Sequence, residues 1–421
     1  MSFRTRGTAH LRALVLLACL AAPAAAQQAA DPLPLDSAVQ RALRAHPRVA
    51  AARAALLAAD ARTRQAAALA NPSLSWQYER TSRAGAENSQ HITTLAQPLA
   101  LGQRAARRDA AAADAQAAAA DLRAAELDVA VMTVTAYAAV LEAERRLSIA
   151  TQSARAFAEA QRIVDARLAA GDASGYEQRR VQLEAARYTA VREARAVEAR
   201  RARRALRALV DPAHRGDDVP FALTFDATRA PTLSDDSLLA QGLAQRPDLQ
   251  AARARVEARV ASARLAQWER LPVPTLVGGL KTETAAGLGA LRGIAAGVTI
   301  PLPLFDRRTG ARDAAAADAE QVRQELVELQ RQATQEIIAA SDALRSAATQ
   351  LALLEPALGE NAARALAAVN AAFAEGDIPL EAWLNGLRAY DEAEEAFATL
   401  RADALVRRAE LARAIGQPFL D

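Results

Sequence analysis

Histidine and cysteine are the side chains that most often ligate metals, carry protons or act as nucleophiles near neutral pH. This chain of 421 residues has four histidines and a single cysteine. His10, His46, His91 and His214 lie far apart with no second histidine one helical turn away, so none begins a metal-binding pair and each reads as a structural or surface residue. The acids are scattered among arginines along alanine-rich runs and read as the solvated faces of helices. No nucleotide-binding loop, nucleophile elbow or supported carboxylate pair accompanies them. The side-chain chemistry therefore implies no catalytic residue, no bound metal and no cofactor, and attention passes to what the long elements enclose.

Residues 1–26 combine Arg4, Arg6 and Arg12 with an apolar stretch from Ala13 to Ala22 and end on Ala24-Ala25-Ala26, the pattern of a secretory signal. Leu16-Leu17-Ala18-Cys19 offers an alternative, a lipoprotein processing site that would lipidate Cys19. On the first reading the mature chain has no thiol, hence neither a disulfide nor a cysteine metal ligand. Of 52 basic and 49 acidic residues, three arginines leave with the leader, so the mature chain is neutral. Its charges are interspersed, which gives no case for nucleic acid. Beyond the leader no run of about 18 uncharged apolar residues occurs, so any membrane-crossing element must be β.

One stretch organises the rest. Gln103 to Ala170 contains neither Gly nor Pro and reads as a single helix, about 100 Å long at 1.5 Å per residue. Every seventh residue from Leu122 through Val129, Ala136, Ala143, Ala150 and Phe157 to Val164 is apolar, a seam that requires a partner along its length. After Gly171-Asp172-Ala173-Ser174-Gly175 a second uninterrupted run, Tyr176 to Asp211, supplies that partner and makes a long helical hairpin. With 4% aromatic residues the chain is poorly suited to several well-filled globular cores, and bundled long helices suit it better.

Upstream, residues 27–34 form a short lead-in and Leu35 to Ala70 reads as a helix with Asp36 as N-cap, interrupted at His46-Pro47 and stopped at Asn71-Pro72. Ser73 to Arg80 and His91 to Gln97 alternate apolar and polar residues and read as two strands about a polar turn. The order then repeats about 200 residues later. Arg44-Ala45-His46-Pro47 answers to Ala244-Gln245-Arg246-Pro247, Gln97-Pro98-Leu99 to Ile300-Pro301-Leu302, and Gly171-Asp172 to Gly376-Asp377. The second copy has strands at Pro274 to Glu283 and Arg292 to Ile300. A helix follows from Thr309 to Ala374, which Pro356 and Gly359 should kink. The chain thus divides into a first repeat (35–211), a linker (212–233), a second repeat (234–416) and a short tail (417–421).

Strands of about nine residues with a two-residue period fit the tilted strands of an outer-membrane barrel. Four strands cannot close, and a spanning sheet must have no open edge, so subunits must share one barrel. Two copies would give eight strands and a side-chain-filled interior, whereas three give twelve and leave a passage. The expected fold is mainly α with a small β part: helical hairpins forming a periplasmic α-barrel, and four strands per chain in a twelve-stranded trimeric barrel.

With these elements in place the chain resembles the TolC-like outer membrane efflux proteins. The likeness runs from Leu35-Asp36-Ser37-Ala38-Val39 to Ala414-Ile415-Gly416. It is most specific at Gln97-Pro98-Leu99-Ala100-Leu101-Gly102 and at Ile300-Pro301-Leu302-Pro303-Leu304-Phe305-Asp306, with Arg307 and Gly310 following. The latter is similar to the heavy-metal cation branch, the outer component of cobalt, zinc and cadmium exporters. The resemblance implies a homotrimer in outer-membrane lipid, a periplasmic adaptor and an inner-membrane resistance-nodulation-division pump as partners, and a passive duct that is not an enzyme. It also implies adaptor contact through the hairpin tips, at Arg167, Leu168, Gly171, Ser174 and Glu177, with Arg180 beside them, and at Gly376 and Asp377 in the second repeat. Acids that the family often places six and nine residues after the second tip glycine are replaced here by Ala382 and Asn385, which leaves Asp377 and Glu381 as candidate acids of the periplasmic entrance. Two alternatives stay open: a duct for drugs or organic solvents, and a poreless periplasmic coiled-coil scaffold or adaptor.

Overall fold

The computed structural model describes residues 33–83, 86–100, 102–213, 234–285, 287, 289–358 and 360–418. The leader with His10 and Cys19, most of the linker with His214, and the last three residues lie outside these.

The elements follow the duplicated order. Helices α1 (Leu35–Ala45) and α2 (Pro47–Ala67) lead to strands β1 (Ser73–Arg83) and β2 (Ala86–Pro98), then to α3 (Gln103–Ala170) and α4 (Gly175–Val210). The second set is α5 (Asp235–Gln245), α6 (Pro247–Trp268), β3 (Thr275–Ala285), β4 (Gly289–Thr299), α7 (Thr309–Leu358), α8 (Glu360–Glu375) and α9 (Leu380–Ile415).

Helix α3 has the expected bounds, closed by Gly171 at φ +87°, where the left-handed backbone lets the amides of Gly171 and Asp172 cap the last turn. None of its seven seam residues is exposed, and Val129, Ala150, Phe157 and Val164 are fully buried. Different partners cover different stretches of α3. Near the strands α2 lies on it, with Thr63 Oγ1 donating to the Ala111 carbonyl at 3.0 Å and Arg48 paired to Asp128 at 2.6 Å. Farther out α4 takes over, with Gln178 donating to Asp165 at 2.8 Å and Arg203 to Glu144 at 2.6 Å. Buried Ala106, Ala110, Ala113, Ala117 and Ala120 recur every three or four residues, a small-residue strip that lets neighbouring backbones approach closely. One window of α3 is apolar enough by composition to cross a bilayer. In this fold helices α1, α4 and α9 cover part of that stretch, around Val129, Val134 and Tyr137, with 44% of the window buried.

Several expectations need correction. Asp36 is not the N-cap: the extended residue before the helix is Pro34, and Asp36 lies in the first turn, where its charge complements the exposed amides. The expected interruption at His46-Pro47 is present and divides α1 from α2, with His46 Nδ1 accepting from the Arg48 amide at 3.1 Å to cap α2. That second helix ends at Ala67, ahead of Asn71-Pro72, because Ala68 turns extended. All four strands are longer than expected, since the polar residues assigned to turns continue the ladder out to Arg83–Ala86 and Ala285–Gly289. The helix expected over Thr309 to Ala374 is described as Thr309–Leu358, with Pro356 inside it, and Glu360–Glu375; Gly359, the second expected breaker, lies outside the described residues.

Candidate functional site: the open sheet and the hairpin tips

The strands form one antiparallel sheet in the order β1-β2-β3-β4, so the two repeats join through β2 and β3. Because side chains alternate, the register assigns every residue to one of two faces. One face carries Leu74, Trp76 and Tyr78 of β1, Leu95 of β2, Leu276 and Leu280 of β3, and Ile294 and Val298 of β4. These are large apolar groups left open to solvent: Leu74 is 74% exposed, Leu280 69% and Ile294 85%. The other face carries polar and small residues, with Ile92, Val277 and Leu291 among them. There Ser75 meets Thr94 at 2.6 Å, Gln77 donates to Glu79 at 2.6 Å and Lys281 pairs with Glu283 at 3.1 Å. At Gly279 an added Cβ would lie 2.1 Å from the Thr93 carbonyl oxygen, so only glycine fits between β2 and β3 there. A soluble hairpin buries its apolar face; this sheet leaves it open, and among the described residues β1 and β4 have no strand partner on their outer edges.

The opposite end of the rods is held by an apolar cluster of Phe157, Val164, Val181, Phe373, Trp383, Leu384 and Leu387. The Trp383 ring lies 5.0 Å from those of both Phe157 and Phe373, and its Nε1 donates to Asn370 at 2.8 Å. The site residues suggested by the sequence gather beyond this cluster. Arg167 donates to the carbonyls of Phe373 and Ala374 at 2.9 and 3.2 Å, with its guanidinium 5.5 Å from the Phe373 ring centre. It thereby satisfies the open end of α8 and ties one hairpin tip to the other. Leu168 lends its carbonyl to the Gly171 amide. Ser174 and Glu177 form a reciprocal capping box at the start of α4. Gly376, at φ +92°, and Asp377 close α8, with the Asp377 amide donating to the Ala372 carbonyl at 2.9 Å. Glu381 sits 3.6 Å from Arg180, while the Asp377 carboxylate is exposed with no ion pair among the described residues.

Sequence reasoning missed a polar layer just inside the tips. Asp391 accepts from Ser153 Oγ at 2.7 and 2.9 Å and from Tyr188, Glu394 is 3% exposed and paired with Arg145 at 2.5 Å, and Arg195 reaches Glu395 at 3.0 Å. Burial pushes the Asp391 carboxyl up to about 6 against its hydrogen bonds from Ser153 and Tyr188, and burial with the neighbouring Asp391 pushes Tyr188 up to about 12. The signal was available, because the apolar row Leu380, Leu384, Leu387 continues at helical spacing through Asp391 and Glu394 to Ala398. An acid on a core stripe needs a buried partner. Among the described residues no cluster of three or more histidines, cysteines or acids is placed to hold a metal ion.

A four-stranded open sheet with an apolar outer face, set on long antiparallel helices, is the fold of trimeric outer-membrane channels, passive ducts and not enzymes. The chain matches the outer membrane efflux protein family over residues 38–210 and 238–417, and it belongs to that family. It is 27% identical over 358 residues to the cobalt-zinc-cadmium resistance protein CzcC of Cupriavidus metallidurans, covering 84% of this chain and 83% of that one. Among solved structures it superposes on CusC with a TM-score of 0.74 at 18% identity, covering 93% and 94% of the two chains. It superposes on the Campylobacter jejuni CmeC outer membrane channel with a TM-score of 0.74 at 17% identity, covering 91% and 85%.

Proposed function

We propose that three copies of this chain close one twelve-stranded barrel in the outer membrane, and that their helices continue it across the periplasm as the outer duct of a tripartite efflux system. The observation that carries this reading is the pairing of an outward apolar face with two unpaired strand edges. Neither is tolerable in a monomer, and both vanish when β4 of one copy pairs with β1 of the next. A barrel of that size leaves an aqueous passage between polar inner faces.

The exported cargo is a set of heavy-metal cations, supported by the likeness to a cobalt-zinc-cadmium resistance protein across most of both chains. The cations pass as cargo. The energy comes from an inner-membrane resistance-nodulation-division pump, met through a periplasmic adaptor. The adaptor engages the exposed tip surface around Arg167, Leu168, Gly171, Ser174, Glu177, Gly376 and Asp377, while Asp377 and Glu381 contribute negative charge at the entrance.

Single-channel recording of the purified protein in a planar bilayer tests the duct, since a chain that never conducts would leave the scaffold reading. Deleting the gene tests the cargo. Increased sensitivity to zinc, cobalt or cadmium is expected, and unchanged metal tolerance with heightened drug or solvent sensitivity would overturn the metal assignment.

A further inference from the structure

The apolar belt on the sheet is too short for a membrane. On β1 it runs from Leu74 to Tyr78 and on β4 from Val298 to Ile294, about 13 Å along each strand, against the roughly 25 Å of hydrocarbon a barrel must match. It cannot extend distally, because the next residues on the same face are Arg80, His91, Thr282 and Arg292. The missing part lies on the helix side. Leu271, Ile300, Leu302, Leu304 and Phe305 are all more than half exposed, Phe305 at 99%. They lie just outside the sheet, on the two connections that join β3 to α6 and β4 to α7.

Immediately beside them is a recess of about 530 Å³ lined by Gln267, Trp268, Arg270, Leu271, Pro303 and Arg307. Of the neighbouring charges, Arg308 pairs with Glu269 at 2.6 Å, while Asp306 accepts the Arg308 amide at 2.8 Å and keeps its negative charge beside the recess. Arg270 and Arg307 make no side-chain hydrogen bond or ion pair among the described residues, so two guanidinium groups line the recess against the one unpaired carboxylate of Asp306 and leave it net positive. Trp268 is fixed from behind, its indole lying against Gly102, where a Cβ would come within 2.6 Å of the ring. An indole and two arginines at the edge of an exposed apolar collar are the groups that favour a membrane interface, and guanidinium groups bind phosphate in a bidentate manner.

We propose that the recess formed by Trp268, Arg270 and Arg307 binds the phosphate of an anionic phospholipid headgroup in the periplasmic leaflet, with Leu302, Leu304 and Phe305 set among its acyl chains. This rests on the outer-membrane reading above. It adds that the lower boundary of the membrane falls on the strand-to-helix connections, and that each protomer carries one lipid site there.

Tryptophan fluorescence separates the two claims, because the chain has three tryptophans. Trp383 is buried among the helix tips and emits as a constant background, leaving Trp76 on the sheet and Trp268 in the recess as reporters. The full protein is reconstituted with phospholipids brominated on their acyl chains. In W268F, quenching of Trp76 reports insertion itself, and its absence overturns the membrane reading. In W76F, Trp268 should be quenched at a roughly tenfold lower mole fraction of brominated phosphatidylglycerol than of brominated phosphatidylcholine, the preference two basic groups supply at a bilayer surface. R270Q/R307Q should abolish the preference and R270K/R307K should retain part of it. Quenching of Trp76 without that of Trp268 would mean that a neighbouring protomer covers the recess and would overturn the site. Equal quenching by both lipids would overturn it too. Loss of the preference in added inorganic phosphate, but not in chloride of equal ionic strength, would reassign the recess to free phosphate.

Discussion

The Ser153 hydroxyl donates to the Asp391 carboxylate at 2.7 Å, joining α3 to α9 through a carboxyl that burial holds at about 6. The folded state therefore binds a proton more tightly than the unfolded chain does, whose aspartate titrates near 4. Stability should fall as pH rises from about 4 to 6, and above that the charged form costs on the order of 2–3 kcal/mol. Asp391→Asn keeps the shape and removes the charge. It should raise the unfolding temperature at pH 7.5, change little at pH 4, and flatten the profile between. A variant less stable than the parent at pH 7.5 would mean that the ionised carboxylate, with its bonds from Ser153 and Tyr188, is the favoured form.

Arg167 crosses from one tip to the other, half-buried against Phe373. Arg167→Met retains the apolar stem over Phe373 but leaves the carbonyls of Phe373 and Ala374 without their donor. A charge-assisted bond of this kind contributes about 1.5–3 kcal/mol. Amide hydrogen exchange at Gly376 and Asp377 should accelerate by one to two orders of magnitude, roughly the same free energy read locally. Protection near the sheet should be unchanged. Uniform acceleration over the whole chain would instead make Arg167 part of the global fold.

How much of this was readable beforehand depended on the length scale of each signal. The bounds of α3 were legible because breakers are absent from Gln103 to Ala170, and the duplication because its Gly and Pro positions recur at a nearly fixed offset. The strand ends were not. Residues such as Thr81, Ser82, Asn88 and Thr284 have turn chemistry, yet the sheet continues through them, since beyond the apolar belt a shared barrel can still pair polar strands in water. The Asp36 cap failed because an N-cap is decided by one residue's backbone angle, which Pro34 fixed instead. The Arg167 bridge could not be read at all, since it joins residues 206 positions apart and depends on the two hairpins ending level.

The entrance acids make a separable prediction. Asp377 is exposed and Glu381 is held loosely at 3.6 Å from Arg180, so neutralising both should alter stability by less than about 1 kcal/mol. In a planar bilayer D377N/E381Q should nevertheless lower the potassium-to-chloride permeability ratio, with the shift largest at low salt, where charge at a mouth is least screened. An unchanged ratio at low ionic strength would remove these two residues from the entrance.

Leu280 and Lys281 are neighbours on β3 that the register sends to opposite faces. If the sheet wraps a water-filled passage inside a bilayer, a charge is costly at the first and natural at the second. Lys281 already lies on the polar face beside Glu283, and Leu280 stands on the outer face between Thr93 and Ile294. An arginine near mid-membrane on the lipid side of a barrel costs about 2–4 kcal/mol, and the trimer places three at once. Leu280→Arg should therefore abolish the membrane-inserted, detergent-resistant trimer, whereas Lys281→Leu should assemble normally and change only conductance. Both can be scored by extraction from membranes and heat-dependent gel mobility. The reverse pattern would mean that the sheet faces the other way, with Leu74, Trp76, Leu280 and Ile294 turned into the lumen.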